Sequence, residues 1–142
     1  MIPYDNRKPL ISVHVPKCAG TSFEVVLKEW FGDKLYRHYA VEKLARRPQH
    51  HRLKSRIPWR KWKTGICVHG HFNRTRGFGV EDYYPECDQF ITVLREPFEV
   101  ALSNFFHIKR RGPDSRRDGK PHEVGELVEF LEGTNSHLPL YF

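Results

Sequence analysis

Three groups of residues carry side chains whose types and spacing suit chemistry. Lys17, Gly20, Thr21 and Ser22 fall within one short stretch, PKCAGTS, with Cys18 and Ala19 between them. Where such a stretch opens a helix, free backbone N–H groups and the positive end of the helix dipole favour an anion, glycine admits close approach, and hydroxyls add donors. Lys17 adds a mobile charge. His69 and His71 flank Gly70, and an imidazole titrating near neutrality suits a general base. Arg95 offers a guanidinium fork matched to bidentate phosphate, and Ser103 follows it. Cys67, His69, His71 and Cys87 raise zinc, but no C-x-x-C or H-x-x-x-H pair supports it, so no metal is expected.

These residues need elements to place them. Leu10, Ile11, Val13 and Val15 predict a strand buried on both faces that ends at Val15, because Pro16 cannot donate to a ladder. Phe23, Val26, Leu27 and Trp30 predict one apolar helical face, stopped at Gly32-Asp33. The segment Pro16 to Ser22 is therefore a strand-to-helix loop. It is not a nucleoside-triphosphate P-loop, since Lys17 precedes the glycine and no first glycine exists. An ordinary turn with Thr21 or Ser22 as N-cap explains the hydroxyls but not Lys17.

Ile66 to Val68 predicts a second strand running into His69-Gly70-His71, and a spacing of two puts both rings on one face. Strand ends are where open α/β sheets bind ligands. Two histidines in a hydrogen-bonded turn are the plainer alternative. Gln89 to Leu94 predicts a buried strand, Arg95-Glu96-Pro97 a turn, and Phe98, Ala101, Leu102, Phe105 and Ile108 a helical face opened by Pro97. Here the competing reading is Arg95 salt-bridged to Glu96 or Glu99.

The chain of 142 residues suits one domain, 1–142, with one core. Its net charge of +7 and pI near 9.5 point to an anionic partner without saying which. No stretch approaches the roughly 18 apolar residues of a membrane span, and the N-terminus lacks an apolar signal region, so a cytoplasmic protein is expected. Three widely spaced cysteines, Cys18, Cys67 and Cys87, argue for reduced thiols. Residues 34–63 form a basic insertion with 11 Lys or Arg and one acid, Glu42. Within it Val41 to Arg47 predicts a short helix, and Pro58 to Lys63 interleaves two tryptophans with cations, either stacking platforms for a polyanion or sugar or a cover for the core edge. Residues 109–121 read as a polar, mobile loop, and Val124, Leu127, Val128 and Leu131 as a last helix stopped by Gly133. Strands alternating with helices imply an α/β fold with a mainly parallel sheet flanked by helices.

Taken together, HVPKCAGTSF, VHGHF and FITVLREPFEVALSNFF resemble the sulfotransferases that use 3'-phosphoadenosine 5'-phosphosulfate (PAPS). The first is similar to that family's 5'-phosphosulfate loop and the third to its 3'-phosphate strand and helix. VHGHF is similar to the heparan and uronyl 2-O-sulfotransferase branch, where a histidine of His-Gly-His acts as base. The resemblance spans Ile11 to about Lys109. It implies a P-loop-like sulfotransferase fold, with Lys17 at the transferred sulfuryl group and Cys18, Ala19, Gly20, Thr21 and Ser22 around the 5'-phosphate. Arg95 and Ser103 would hold the 3'-phosphate, His71 would be the base and His69 its support. The donor would be PAPS, with no metal, and the acceptor a hydroxyl, on a glycan by the branch resembled.

Two residues separate Lys17 from Gly20, as in the carbohydrate branch rather than the small-phenol enzymes. Family members usually continue through further strands, so the resemblance implies a C-terminally short form, and the Golgi anchor of the carbohydrate enzymes is not expected. Two other functions compete: a module or pseudoenzyme that binds PAPS or its desulfated product without transfer, and a polyanion or nucleic-acid binder using Lys34 to Lys63. No recognised nucleic-acid motif speaks for the last.

Overall fold

In this computed structural model the described residues are 3–41, 45–111 and 127–133. The chain divides into two units, Met1–Val93 and Leu94–Phe142. The first unit is an α/β fold. Strands β1 (Leu10–Val13), β2 (Leu35–His38), β3 (Cys67–Gly70) and β4 (Phe90–Thr92) form an all-parallel sheet in the order β2-β3-β1-β4. Helix α1 (Gly20–Phe31) follows β1, and a single turn, α2 (Val80–Tyr83), lies between β3 and β4.

Alternation along the strands splits the core into two layers. Leu10 and Cys67 turn to one face, where they meet Leu27, Phe23 and Phe31 of α1. Leu27 is fully buried there, and its truncation to alanine should cost roughly 2–5 kcal/mol. Ile11 and Val68 turn to the other face and pack with Leu53, Trp62, Ile66, Phe72 and Tyr84. Val80 and Tyr83 of α2 belong to that second layer. The connections after the neighbouring strands β1 and β3 thus leave to opposite faces of the sheet, the arrangement at whose carboxyl edge open α/β sheets take ligands.

Several expectations are corrected. The first strand stops at Val13 rather than Val15, although pairing extends one residue further, since His14 N–H donates to Gly70 O at 2.8 Å. Trp30 does not share the buried face of α1: it is 64% exposed, and Phe31 packs in its place. The strand predicted as buried from Gln89 to Leu94 is shorter and exposed at Phe90 and Thr92. It pairs only with β1 in the sheet, so its outer side lacks a neighbour among the described residues. Between Val41 and Arg47 the expected helix is replaced by an antiparallel bridge, in which Val41 and Arg46 exchange backbone hydrogen bonds at 2.9 and 3.1 Å; 42–44 lie outside the described residues.

In the second unit, α3 (Pro97–Arg111) opens at Pro97 as its missing N–H allows, and α4 (Leu127–Gly133) ends at Gly133. Phe105 and Phe130 join the two edge to face, their ring centroids 5.4 Å apart. The predicted polar loop begins later than Lys109, which is still helical and holds its ammonium 5.5 Å from the Phe105 ring centre one turn back. Residues 112–121 of that loop and Val124 lie outside the described residues.

Candidate functional site

The loop after β1 is shaped before α1 begins. Lys17 and Ala19 both take left-handed backbone conformations, with φ of 67 and 56 degrees, unusual for residues that carry a Cβ. Ala19 is the N-cap and has no side-chain oxygen to give. The expected cap by Thr21 or Ser22 therefore does not form: both lie in the first helical turn and are exposed. Because the first helical bond runs from Phe23 N–H to Ala19 O at 3.0 Å, the N–H groups of Gly20, Thr21 and Ser22 precede the helix's own ladder. Cys18 is buried and Lys17 half-buried.

Beside this loop stand three imidazoles, one of which the sequence reading missed. His14, at the carboxyl end of β1, stacks on His71 at 4.3 Å between centroids and on His69 at 5.3 Å, with interplanar angles of 23 and 12 degrees. The predicted common face of His69 and His71 is what allows both to meet it. The same His14 ring lies against Gly20, where an added Cβ would fall 1.9 Å from Cδ2 and 2.0 Å from Nε2. Gly20 is thus required by the ring behind the loop, whatever approaches from the front. Tyr39, whose hydroxyl burial pushes up and so keeps protonated, sits 2.9 Å from His14 Nδ1 and closes the group edge-on to His71.

The bonds assign roles to the rings. His71 Nδ1 lies 2.8 Å from the His14 carbonyl oxygen, which can only accept. In the neutral ring the proton therefore sits on Nδ1, and Nε2 carries the lone pair a base needs. His69 is buried, with Nδ1 2.9 Å from Ser12 Oγ, and its Nε2 has no hydrogen-bond partner of acceptable geometry. Burial lowers its pKa, the Glu24 carboxylate opposes that, and His71 adds to it. His14 is held down to about 4, by burial first and then by His71 and His69. Both rings beside His71 thus favour the neutral form.

A signal for His14 exists in the sequence. It stands two residues after Ser12 in an otherwise apolar run, hence on the face that Ser12 shares with His69, but nothing local pairs it with residues so far along the chain. The opposite face holds a fourth ring, His38, fully buried, with neither nitrogen in a hydrogen bond of good geometry. It stacks on Phe72 at 4.3 Å and meets Tyr83 edge-on at 4.6 Å; burial brings its pKa down to about 4.

Arg95 and Ser103 belong to the second unit. Arg95 Nε donates to Glu99 Oε2 at 2.8 Å, so the guanidinium is engaged by a carboxylate one turn on, and Ser103 is half-buried in α3. In the basic segment, Trp62 is 9% exposed and packs in the core, while Trp59 is 85% exposed, so the core-cover reading holds for Trp62 and not for Trp59. Cys18, Cys67 and Cys87 are free, and burial pushes the last two thiols up to about 12 and 11. Among the described residues no group of three or more His, Cys, Asp or Glu is placed to hold a metal, and no helix is long and apolar enough to cross a membrane. No family model, curated protein or solved structure matches this chain.

Proposed function

We propose that this protein transfers a sulfuryl group from PAPS to an acceptor hydroxyl, on a carbohydrate by the branch it resembles, with a P-loop-like sulfotransferase fold in its first unit. One observation carries the reading most: Gly20 of the anion loop, the His14 ring and His71 form a single contact chain at the carboxyl edge of two neighbouring strands. That contact chain supports a reading in which an anion-binding turn stands beside a base whose Nδ1 is engaged by the His14 carbonyl. The fit to a nucleotide phosphate rests on the first-turn N–H groups, the exposed Thr21 and Ser22 and the dipole of a 12-residue helix.

In this reading Nε2 of His71 takes the acceptor's proton while the acceptor oxygen bonds to sulfur and the bond from sulfur to the 5'-phosphate oxygen breaks. Lys17 neutralises the charge that grows on that leaving oxygen. The transition state is loose and in line, so the residues mainly position groups and balance charge, and no metal is needed. His69 and His14 keep His71 in place from one side. Arg95, released from Glu99, and Ser103 would hold the 3'-phosphate.

The engagement of Arg95 by Glu99 favours a second reading, a nucleotide-binding module that grips a 5'-phosphate at the β1–α1 loop and transfers nothing. Calorimetric titration separates the two. Sulfotransferase function requires 3',5'-bisphosphoadenosine to bind at least about tenfold more tightly than 5'-AMP, the least that one added charged contact supplies. Equal affinities would remove the 3'-phosphate assignment, binding without sulfate transfer would select the module, and no binding of either would end the nucleotide reading.

A further inference from the structure

The first unit carries a projection that the nucleotide site does not use. Residues 53–63 fold back on themselves: Lys54 and Trp62 form an antiparallel bridge, Lys63 N–H donates to Leu53 O at 2.9 Å, and Ser55 N–H donates to Lys61 O at 3.1 Å. Its root is fixed, because Leu53 and Trp62 are buried in the core layer with Ile11 and Val68. Its tip is Ile57-Pro58-Trp59, with Ile57 40% and Trp59 85% exposed. Large apolar side chains are thus held out in water by an anchored, hydrogen-bonded loop.

Part of the tip's backbone is bonded within the loop. Ile57 N–H donates to Ser55 Oγ at 3.0 Å, Pro58 has no N–H, and Ile57 O accepts from Arg60 N–H at 3.0 Å. Each of these bonds, like the missing N–H of Pro58, removes a group that would otherwise lose water if the tip entered a less polar medium, where an unpaired group is costly. Around it lie Arg52, Lys54, Arg56, Arg60, Lys61 and Lys63, with no acid anywhere between Arg52 and Lys63 in the sequence. Lys54 and Lys61 share Glu86, whereas Arg52, Arg56, Arg60 and Lys63 make no ion pair among the described residues.

We propose that this loop docks the protein on an anionic lipid surface, with Trp59, Pro58 and Ile57 entering the headgroup boundary and the surrounding cations meeting lipid phosphates and carboxylates. Indole is the side chain best suited to that boundary, apolar in body with one donor at its edge. Cations on long apolar stems can lie along the boundary and keep their heads at the phosphates. A sulfated glycan or an RNA would use the same charges and could stack on the indole, but it gives no role to the exposed Ile57 and Pro58 beside it. The proposal does not depend on sulfuryl transfer.

The test is co-sedimentation of the whole chain with phosphatidylcholine vesicles and with vesicles in which about a third of the lipid is phosphatidylserine. Binding is expected on the second only. Trp59→Ala should weaken it by roughly tenfold, and Arg56→Glu with Arg60→Glu by more, since each basic residue near such a surface contributes about fivefold. Both sites are exposed, so unchanged near-ultraviolet dichroism should accompany the loss. In a Trp30→Phe background, which removes the other exposed indole, brominated lipid should quench Trp59 emission. Binding that ignores Trp59→Ala, absence of quenching, or capture of a heparin oligosaccharide or RNA with no vesicle binding would each overturn the proposal. So would a failure to bind either vesicle.

Discussion

The two places where a strand hands over to a helix, β1 to α1 and β4 to α3, share a sequence pattern: an apolar run, a cation within two residues of a proline, then an amphipathic helix. They differ in how much is fixed beforehand. At the first, the strand is buried on both faces, the loop is bent through two left-handed residues, and Gly20 rests on an imidazole stack. At the second, two of the three strand residues are exposed and the cation is held by Glu99, the pair being 42% and 54% exposed. An exposed pair of that kind contributes at most about 1 kcal/mol. Burial around a motif, more than the motif, decides whether its groups stand ready or must change partners.

The largest expected effect lies at the first junction. His71→Ala should lower turnover by roughly 10² to 10⁴ while leaving bisphosphate affinity within about threefold, because a base meets the acceptor and not the nucleotide. Full turnover in that variant would remove His71 from the chemistry. Acid should expose the same asymmetry in stability. His38 and His14 titrate at about 4 in the folded protein against an ordinary value near 6.5, so both favour the folded state while neutral. That stability is complete above pH 6.5 and is lost as the pH falls towards 4, because the unfolded chain takes up the protons first. For His38 alone the loss is about 3 kcal/mol, readable as a falling urea midpoint, and a midpoint flat across that range would refute it.

Gly20→Ala should cost about 1–3 kcal/mol of stability, as overpacking does, and in a His14→Ala background most of that cost should vanish. If the two changes are simply additive in thermal unfolding, the contact between ring and loop does not matter. The smallest effects belong to the second junction. Glu99→Gln should tighten bisphosphate binding by about twofold by releasing Arg95, and Arg95→Ala should weaken it by about tenfold, less than a desolvated pair would show. A loss of affinity in Glu99→Gln would mean that the carboxylate positions Arg95 instead of competing for it.

Much of the first junction was legible in the sequence. The strand before Pro16, the helix that stops at Gly32, and the shared face of His69 and His71 follow from spacing and from what proline and glycine permit. His14 was not legible as part of the site, since its partners sit 57 residues away and only the register of β1 against β3 brings them together. The two tryptophans of the basic segment look alike in sequence. They part because Trp62 falls in the loop's root and Trp59 at its tip, a distinction set by the pairing of Lys54 with Trp62. Nor could the apolar run at β4 announce that it comes last among the described strands, because neighbours in a sheet are chosen by the whole topology.

The left-handed turns at Lys17 and Ala19 also bear on how this protein responds to selection for heat resistance. Each holds a Cβ where the backbone is roughly 1–2 kcal/mol less favourable than in the ordinary helical region, a cost that glycine would not carry. Directed evolution scored by melting temperature alone would therefore tend to place glycine at Ala19. The same change would widen the range of shapes the loop visits and slacken the turn that aligns the first N–H groups of α1. The hardiest variants recovered from such a screen would be poor templates for studying the loop, and the wild-type alanine marks a position where rigidity has been kept at some expense in endurance.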